Sequence, residues 1–115
     1  RSMFSGCSSL ETAPELPVTR LQQFCYEYMF NGCSSLVTPP SLPATTLASS
    51  CYSRMFENCT NLKYVKHNIV DWHTTYTASW LKNVSSSGVV ECPANSTIPS
   101  NNDSGIPTGW TRVNF

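Results

Sequence analysis

Charge is scarce in this sequence, and the few charges present cancel. Only 12% of the 115 residues are charged, and seven Lys plus Arg stand against seven Asp plus Glu, so the formal net charge is zero. Domains that bind nucleic acid carry a basic patch or stripe. The sequence shows no such patch, and we expect no nucleic-acid partner.

Long hydrophobic runs are also missing. The longest apolar stretches are only a few residues, far below the ~20 that a membrane-spanning helix needs, so no membrane span is expected in this chain. The opening RSMFSG lacks the charged and apolar regions of a secretory signal, and a signal would therefore lie upstream of it. At this length a single continuous domain is expected.

The motifs of common enzymes are absent as well. The sequence contains no Gly-rich phosphate loop, no G-x-S-x-G elbow and no close carboxylate pair. A thiol nucleophile needs a base within hydrogen-bond reach, and His67 and His73 are the only histidines. We therefore predict no catalytic activity and no cofactor.

What the sequence does contain is a repeat with a period of 26 residues. Residues 1–24 laid over residues 27–50 give thirteen identities, and CYEYMFNGCSSL at 25–36 returns as CYSRMFENCTNL at 51–62. A fixed period of this size indicates stacked supersecondary units. The repeated positions expected in the core are Met3, Phe4, Cys7, Leu10, Cys25, Met29, Phe30, Cys33, Leu36, Cys51, Met55, Phe56, Cys59 and Leu62.

Each unit is predicted to contain a short helix, a short strand and a turn. Cys25, Met29, Phe30 and Cys33 stand at i, i+4, i+5 and i+8, one face of about two helical turns. The β-branched residues after the repeated leucine favour a short strand. The Pro-rich segment 39–43 lacks the donors for a central strand and is expected to form an extended turn.

One such unit cannot bury its apolar residues alone, so the units are predicted to stack as a solenoid. Residues 1–66 are assigned to the repeats, the first of which lacks its opening Cys-Tyr. The Pro-x-Leu-Pro pattern disappears after Tyr64, and residues 67–115 are therefore assigned to a C-terminal cap. Because an uncapped end exposes apolar positions, the chain is interpreted as part of a longer array.

The units CYEYMFNGCSSL and CYSRMFENCTNL, followed by SLPATTL, resemble the BspA-like leucine-rich repeat of bacterial surface proteins. Cys25-Tyr26 stands at the family's Ile-Gly place, Met29-Phe30 at its Ala-Phe, and Cys33 with Leu36 at its Cys-x-x-Leu. The resemblance implies an α/β solenoid of parallel strands, Pro-rich turns and short helices. It also implies a secreted or cell-surface protein that adheres to host extracellular matrix or to a surface protein of another cell.

The six cysteines are predicted to be buried free thiols. A structural zinc site favours closely spaced pairs, whereas the spacing here is C-x7-C. Two cysteines eight apart on a helix are about 12 Å apart, beyond disulfide reach. A disulfide between equivalent cysteines of neighbouring units, such as Cys33 and Cys59, is the alternative. Cys92, which has no repeat partner, is expected to be partly exposed.

The predicted recognition surface lies where the units differ. Glu11, Val37 and Lys63 follow the repeated leucine, and Tyr28 and Tyr64 are nearby aromatic residues of the kind that anchors interfaces. The alternative interpretation is that these are solvated positions with no partner.

Three functions therefore remain open. The first is a non-catalytic module for adhesion or protein recognition, and the second is a stalk or spacer that holds another domain away from the cell. The remote third is a metal-binding module at His67, Asp71 and His73, although His-x5-His is not a recurrent ligand spacing. The sequence leaves the ligand and the oligomeric state undetermined.

Overall fold

A computed structural model describes residues 4–13, 26–40 and 42–115. Its strands are β1 (Tyr64–Lys66), β2 (Gly88–Cys92) and β3 (Trp110–Asn114), which form one parallel sheet in the order β1-β2-β3. Three single parallel bridges, Thr12 to Thr38, Leu42 to His67 and Ser100 to Ile106, join further segments. Within these residues no helix is long and apolar enough to cross a membrane.

The predicted fold class, an α/β solenoid of leucine-rich-repeat units with a short helix in each, is wrong. The described ranges contain no helix, and their regular elements are three parallel strands in one open sheet. The segments expected to be helical, 25–33 and 51–59, contain runs of turns at 26–32 and 51–58. Of the predicted strands, the one after Leu62 is β1, whereas the one after Leu36 is reduced to the single bridge at Thr38.

Backbone dihedral angles explain why no helix forms. Tyr28 has a φ of 60° and Gly32 a φ of 77°, and their equivalents Arg54 and Asn58 have φ values of 53° and 67°. A right-handed helix needs a negative φ at every residue. A left-handed residue every fourth position therefore ends each turn before a helix can extend. The i, i+4 spacing of apolar residues is satisfied by consecutive turns instead.

Hydrogen bonds in the turn runs alternate between two directions. The N–H of Met29 donates to the carbonyl of Tyr26, three residues back, whereas the N–H of Phe30 donates to the carbonyl of Met55 in the following unit. The same alternation runs through residues 26–32 and 52–58. Half of the peptide groups that a helix would use internally thus link one unit to the next, which satisfies them without helical structure.

Aromatic side chains form two columns that converge on Trp80. Phe4, Phe30 and Phe56 stack with ring centroids 5.4 and 5.6 Å apart and nearly parallel planes. Tyr26 and Tyr52, with ring centroids 6.3 Å apart, form the second column. The Trp80 ring lies 6.1 Å from Phe56 and 5.9 Å from Tyr52. Each such pair contributes about 0.5–1.5 kcal/mol beyond the area it buries. Trp80 therefore joins the repeats to the closing segment.

The closing segment is held by its tryptophans. Its buried apolar side chains are Ile69, Trp72, Trp80, Leu81, Val90, Cys92, Ile98, Ile106 and Trp110. The three indole N–H groups donate, in chain order, to the carbonyl oxygens of Ser104, Gly105 and Ser85 at 2.7, 2.9 and 2.7 Å. Each indole thus buries a large apolar ring without leaving its polar atom unpaired.

Gly88, the first residue of β2, is required by close approach of the backbone. A Cβ atom there would lie 2.6 Å from the carbonyl oxygen of Lys63 and 2.6 Å from the Trp110 ring. Any side chain would force β2 away from β1 or displace the indole. The glycine therefore allows the three strands to reach their observed register.

Candidate functional site

The candidate functional site is the solvent-facing side of the sheet. Lys66 is aligned with Glu91, and Glu91 with Val113. Because aligned residues of parallel strands point to the same face, these three side chains form a row, while Val65 and Val90 point into the core. Phe115 follows on the same face, two residues beyond Val113.

We call the residues Tyr64, Lys66, Glu91, Val113 and Phe115 the outer patch. Glu91 lies at its centre, where one carboxylate oxygen is 3.7 Å from the Lys66 ammonium and the other accepts a long hydrogen bond of 3.4 Å from the Tyr64 hydroxyl. The Lys66 ammonium also lies 4.9 Å from the centroid of the Phe115 ring. Exposed ion pairs stabilise a fold by only ~0–1 kcal/mol. The main consequence of these contacts is therefore to order the patch.

The protonation state of Tyr64 follows from its surroundings. Burial of part of the ring raises the pKa of the Tyr64 hydroxyl above its usual value, and the negative charge of Glu91 raises it further. The hydroxyl therefore remains a proton donor at neutral pH, as its hydrogen bond to the carboxylate requires.

Apolar exposure distinguishes the outer patch from its surroundings. The large hydrophobic side chains exposed in the described part of the chain are Val37 at 52%, Tyr64 at 39%, Val113 at 42% and Phe115 at 55%. Three of the four belong to the outer patch. Single exposed apolar residues are ordinary, whereas a group of them around a charge pair is typical of a recognition surface.

A cleft of about 160 Å³ adjoins the outer patch. Leu42, Pro43, Lys66 and Asn68 line it, and the Asn68 amide donates to the Pro43 carbonyl at 3.4 Å. Lys66 thus borders both the cleft and the outer patch. The cleft offers one cationic group, one amide and an apolar wall, and a single amino-acid side chain would fill it.

Three of the five predicted surface residues occupy the same position in successive units, and a fourth, Tyr64, is the next residue along the chain. Glu11, Val37 and Lys63 are exposed, and the Val37 N–H donates to the Glu11 carbonyl at 2.9 Å, so their units are adjacent. Tyr64 follows Lys63 and belongs to the outer patch.

Tyr28, the fifth predicted residue, lies in a different part of the unit. It is half-buried in a turn run, and its ring centroid is 6.0 Å from the guanidinium of Arg54. Arg54 in turn pairs with Glu57 at 3.0 Å. Tyr28 is therefore assigned to the packing of the turn runs and not to the outer patch.

Sequence reasoning missed Lys66, Glu91, Val113 and Phe115. The last two could have been found from WTRVNF at 110–115, whose alternation of side chains is typical of a half-buried strand. Nothing in the local sequence indicates that Glu91 stands beside Lys66, because only the register of two strands 25 residues apart brings them together.

The metal-binding interpretation is wrong for the residues the structure describes. Among them, no group of three or more His, Cys, Asp or Glu side chains could hold a metal ion. His67 is fully buried, whereas Asp71 and His73 are exposed. His73 lies against Tyr76 with ring centroids 5.1 Å apart. A shared ligand set is therefore not formed.

His67 is instead a core residue. Its Nδ1 accepts the N–H of Ile69 at 2.9 Å, so the proton of the neutral ring is assigned to Nε2, which has no hydrogen-bond partner among the described residues. The imidazole lies 4.6 Å from the Trp72 ring and stands edge-on to Trp80 at 6.3 Å. Burial and, to a smaller extent, the positive charge of Arg112 together lower the pKa of His67 to about 3.

The described cysteines differ in exposure. Cys33, Cys59 and Cys92 are free thiols with no exposed surface, whereas Cys7 is free and exposed. The predictions that Cys92 would be partly exposed and that Cys7 would be in the core are therefore wrong. Cys92 ends β2 on its buried side, and Cys7 lies within the exposed run 5–9. Met3 and Cys25 lie outside the described residues.

Thiol reactivity should follow this difference. We expect Cys7 to react with a maleimide in the native protein at pH 8, while Cys33, Cys59 and Cys92 react only in denaturant. Burial raises the pKa of Cys59 to about 12, and the reactive thiolate is then scarce. Peptide mass spectrometry after labelling measures each site separately. Rapid native labelling of Cys59 or Cys92 would contradict this assignment.

Comparisons with known proteins assign no family to the chain. No family model, curated protein or solved structure matches it. The candidate site therefore rests on the geometry described above, and the resemblance of the unit to BspA-like repeats stays a prediction.

Proposed function

We propose that the protein is a non-catalytic recognition module that binds another protein through the outer patch. The observation that carries the proposal is the exposure of Tyr64, Val113 and Phe115 on one face of the sheet, around the pair of Lys66 and Glu91. Aromatic side chains are enriched at the centres of protein interfaces, where they contribute large contact areas.

The cleft beside the outer patch supports a protein partner over a small molecule. Its volume of about 160 Å³ is below the ~300–1,000 Å³ of pockets that bind cofactors and drug-sized ligands. A protein surface could instead rest on Tyr64 and Phe115 and insert one side chain beside Lys66. An acidic or amide side chain would suit the ammonium of Lys66 and the amide of Asn68.

We propose further that the module acts outside the cell or on its surface, with host extracellular matrix or a surface protein of another cell as the partner. The resemblance of CYEYMFNGCSSL and CYSRMFENCTNL to BspA-like surface repeats supports this location. The predicted helical form of those repeats does not contribute to the proposal, since the outer patch belongs to the sheet.

A stalk or spacer is the second candidate. It is supported by the hydrogen bonds that join each turn run to the next, because a continuous ladder resists bending. A spacer requires no exposed aromatic group and no partner, so a binding experiment separates the two functions.

Binding to immobilised matrix proteins tests the recognition function. We expect the purified chain to bind at least one of fibronectin, laminin and collagen in biolayer interferometry. Tyr64→Ala and Phe115→Ala should each weaken that binding by at least about thirtyfold, the ~2 kcal/mol effect that defines a central interface residue.

Lys82→Ala is the matched control, since Lys82 is exposed but lies in the turn run 78–83. It should leave the affinity unchanged. Absence of binding to the panel, or equal loss in the control, would contradict the outer patch and favour the spacer.

A further inference from the structure

Asn31 is followed by Gly32 in turn run 26–32, and this is the single Asn-Gly step of the sequence. The side-chain carbonyl carbon of an asparagine can react with the backbone nitrogen of the next residue, and glycine hinders this attack least because it has no Cβ. Gly32 has a φ of 77°, a left-handed conformation that glycine adopts without strain. The turn therefore favours the residue that also makes Asn31 chemically labile.

The same place in the neighbouring turn runs carries other residue pairs. These pairs, joined in series by backbone hydrogen bonds, are Ser5-Gly6, Glu57-Asn58 and Lys82-Asn83. None of them has an asparagine followed by a glycine. Asn58 and Asn83 have φ values of 67° and 59°, so an asparagine also fits this left-handed position. The labile step at 31 and 32 is thus not imposed by the turn.

Glu57 holds both groups that would react. One N–H of the Asn31 side-chain amide donates to a Glu57 carboxylate oxygen at 2.9 Å, and the Gly32 N–H donates to the Glu57 backbone carbonyl at 2.9 Å. Glu57 is itself buried, and its other carboxylate oxygen accepts from the Arg54 guanidinium at 3.0 Å. The nitrogen that would attack and the nitrogen that would leave are therefore both restrained by one residue of the next turn run.

We propose that Asn31-Gly32 is a site of intramolecular modification, which Glu57 keeps unreactive while turn runs 26–32 and 52–58 are in contact. When the runs separate, the Gly32 nitrogen bonds to the side-chain carbonyl carbon of Asn31. The amide nitrogen leaves as ammonia and takes the proton that the Gly32 nitrogen loses. Water then opens the cyclic imide at one of its carbonyl carbons, which gives aspartate or isoaspartate at position 31 with no other reactant.

The product cannot restore the contact between the turn runs. Aspartate at position 31 places a carboxylate against the Glu57 carboxylate, where the amide had donated, and like charges this close repel each other. Isoaspartate also adds one methylene to the main chain before Gly32, which moves the Gly32 N–H away from the Glu57 carbonyl. The modification is therefore a one-way separation of the two turn runs.

The rate of modification at Asn31 tests the proposal. Peptide mass spectrometry of the chain incubated at pH 8 measures aspartate and isoaspartate at position 31. We expect the rate in the native protein to be at least about tenfold below the rate in denaturant, because the reaction requires local opening. Glu57→Ala should raise the native rate by at least about tenfold, since the charged acceptor no longer holds the amide.

Arg54→Ala is the matched control, because it removes the other partner of Glu57 and leaves the Asn31 contact in place. Its native rate should change by less than about twofold, as expected for a largely exposed ion pair. Equal rates in native and denatured chains, or equal acceleration in Arg54→Ala and Glu57→Ala, would overturn the proposal.

Gly32→Asn tests the chemistry, since it introduces the residue that adopts the same backbone conformation at Asn58. In denaturant this variant should be modified at Asn31 at least about tenfold more slowly, because a side chain now shields the attacking nitrogen. An unchanged rate in denaturant would rule out attack by the residue 32 nitrogen.

Asn31→Asp tests the consequence, and it decides the matter even if Glu57→Ala does not fold. The variant should unfold at a lower denaturant concentration than Asn31→Ser, which carries the residue found at the equivalent Ser5. Glu57→Gln added to Asn31→Asp removes the repulsion and should raise the midpoint at least to that of Asn31→Ser. An Asn31→Asp variant as stable as Asn31→Ser would contradict the proposed separation of the turn runs.

Discussion

Replacement of Trp80 by alanine is expected to lower the free energy of unfolding by about 4 kcal/mol, within the ~3–5 kcal/mol range for buried Trp or Phe to Ala. Trp80 has no exposed surface and is where the two aromatic columns of the repeats meet. The substitution removes its contacts with Tyr52 and Phe56 and leaves the Gly105 carbonyl without the indole donor. Denaturant unfolding followed by circular dichroism measures the change.

Two further variants separate the causes of this loss. Trp80→Phe keeps an aromatic ring but removes the N–H, so we expect a loss of about 1–3 kcal/mol, the cost of smaller volume and one unsatisfied acceptor. Phe4→Ala removes a ring from the half-exposed end of a column and should cost less than either. A loss in Trp80→Ala no larger than that in Phe4→Ala would show that Trp80 does not join the two parts of the chain.

Acid should destabilise the protein through His67. Its pKa is lowered to about 3 in the folded state, against 6.5 for an unperturbed histidine. The unfolded state therefore binds the proton first, and stability is lost as the pH falls below about 6.5. Between pH 7.5 and pH 4.5 the expected loss from this residue is about 2–3 kcal/mol. Denaturant midpoints measured across this pH range give the dependence of stability on pH.

His67→Asn tests the assignment, because the asparagine oxygen can accept the Ile69 N–H but cannot titrate in this range. The variant should be less stable at neutral pH, since it loses ring contacts with Trp72, but the loss between pH 7.5 and 4.5 should shrink by about 2–3 kcal/mol. His73→Asn removes the exposed histidine and should keep the full pH dependence. If the pH dependence of stability is unchanged in His67→Asn, another group causes the loss of stability in acid.

The candidate site was only partly predictable from the sequence. Tyr64 was predicted because it is an aromatic residue close behind a repeated leucine, where the units differ. The sequence did not predict Glu91 and Phe115, since they lie outside the repeat. They reach Tyr64 and Lys66 only through the pairing of three strands. Side-chain alternation indicates which residues of a strand share a face, but it does not indicate which strand lies beside it.

The helix prediction failed for a specific reason. Apolar residues at i, i+4 and i+8 fit two helical turns, but they also fit successive turns that return to one face every four residues. Gly32 and Asn58 favour a left-handed backbone locally, whereas Tyr28 and Arg54 do not, although all four adopt it. Those conformations persist because the N–H groups around them are bonded to the neighbouring unit.

The sequence by itself determined the period of 26 residues and the equivalence of Phe4, Phe30 and Phe56, because identical side chains at a constant spacing require no coordinates to be recognised. Tertiary structure decided the backbone conformation of each unit, the burial of His67 and Cys92, and the assembly of the outer patch. These depend on hydrogen bonds and contacts between residues about 25 positions apart. A local pattern specifies which side chains are apolar, whereas the neighbouring unit determines which backbone conformation satisfies the peptide groups.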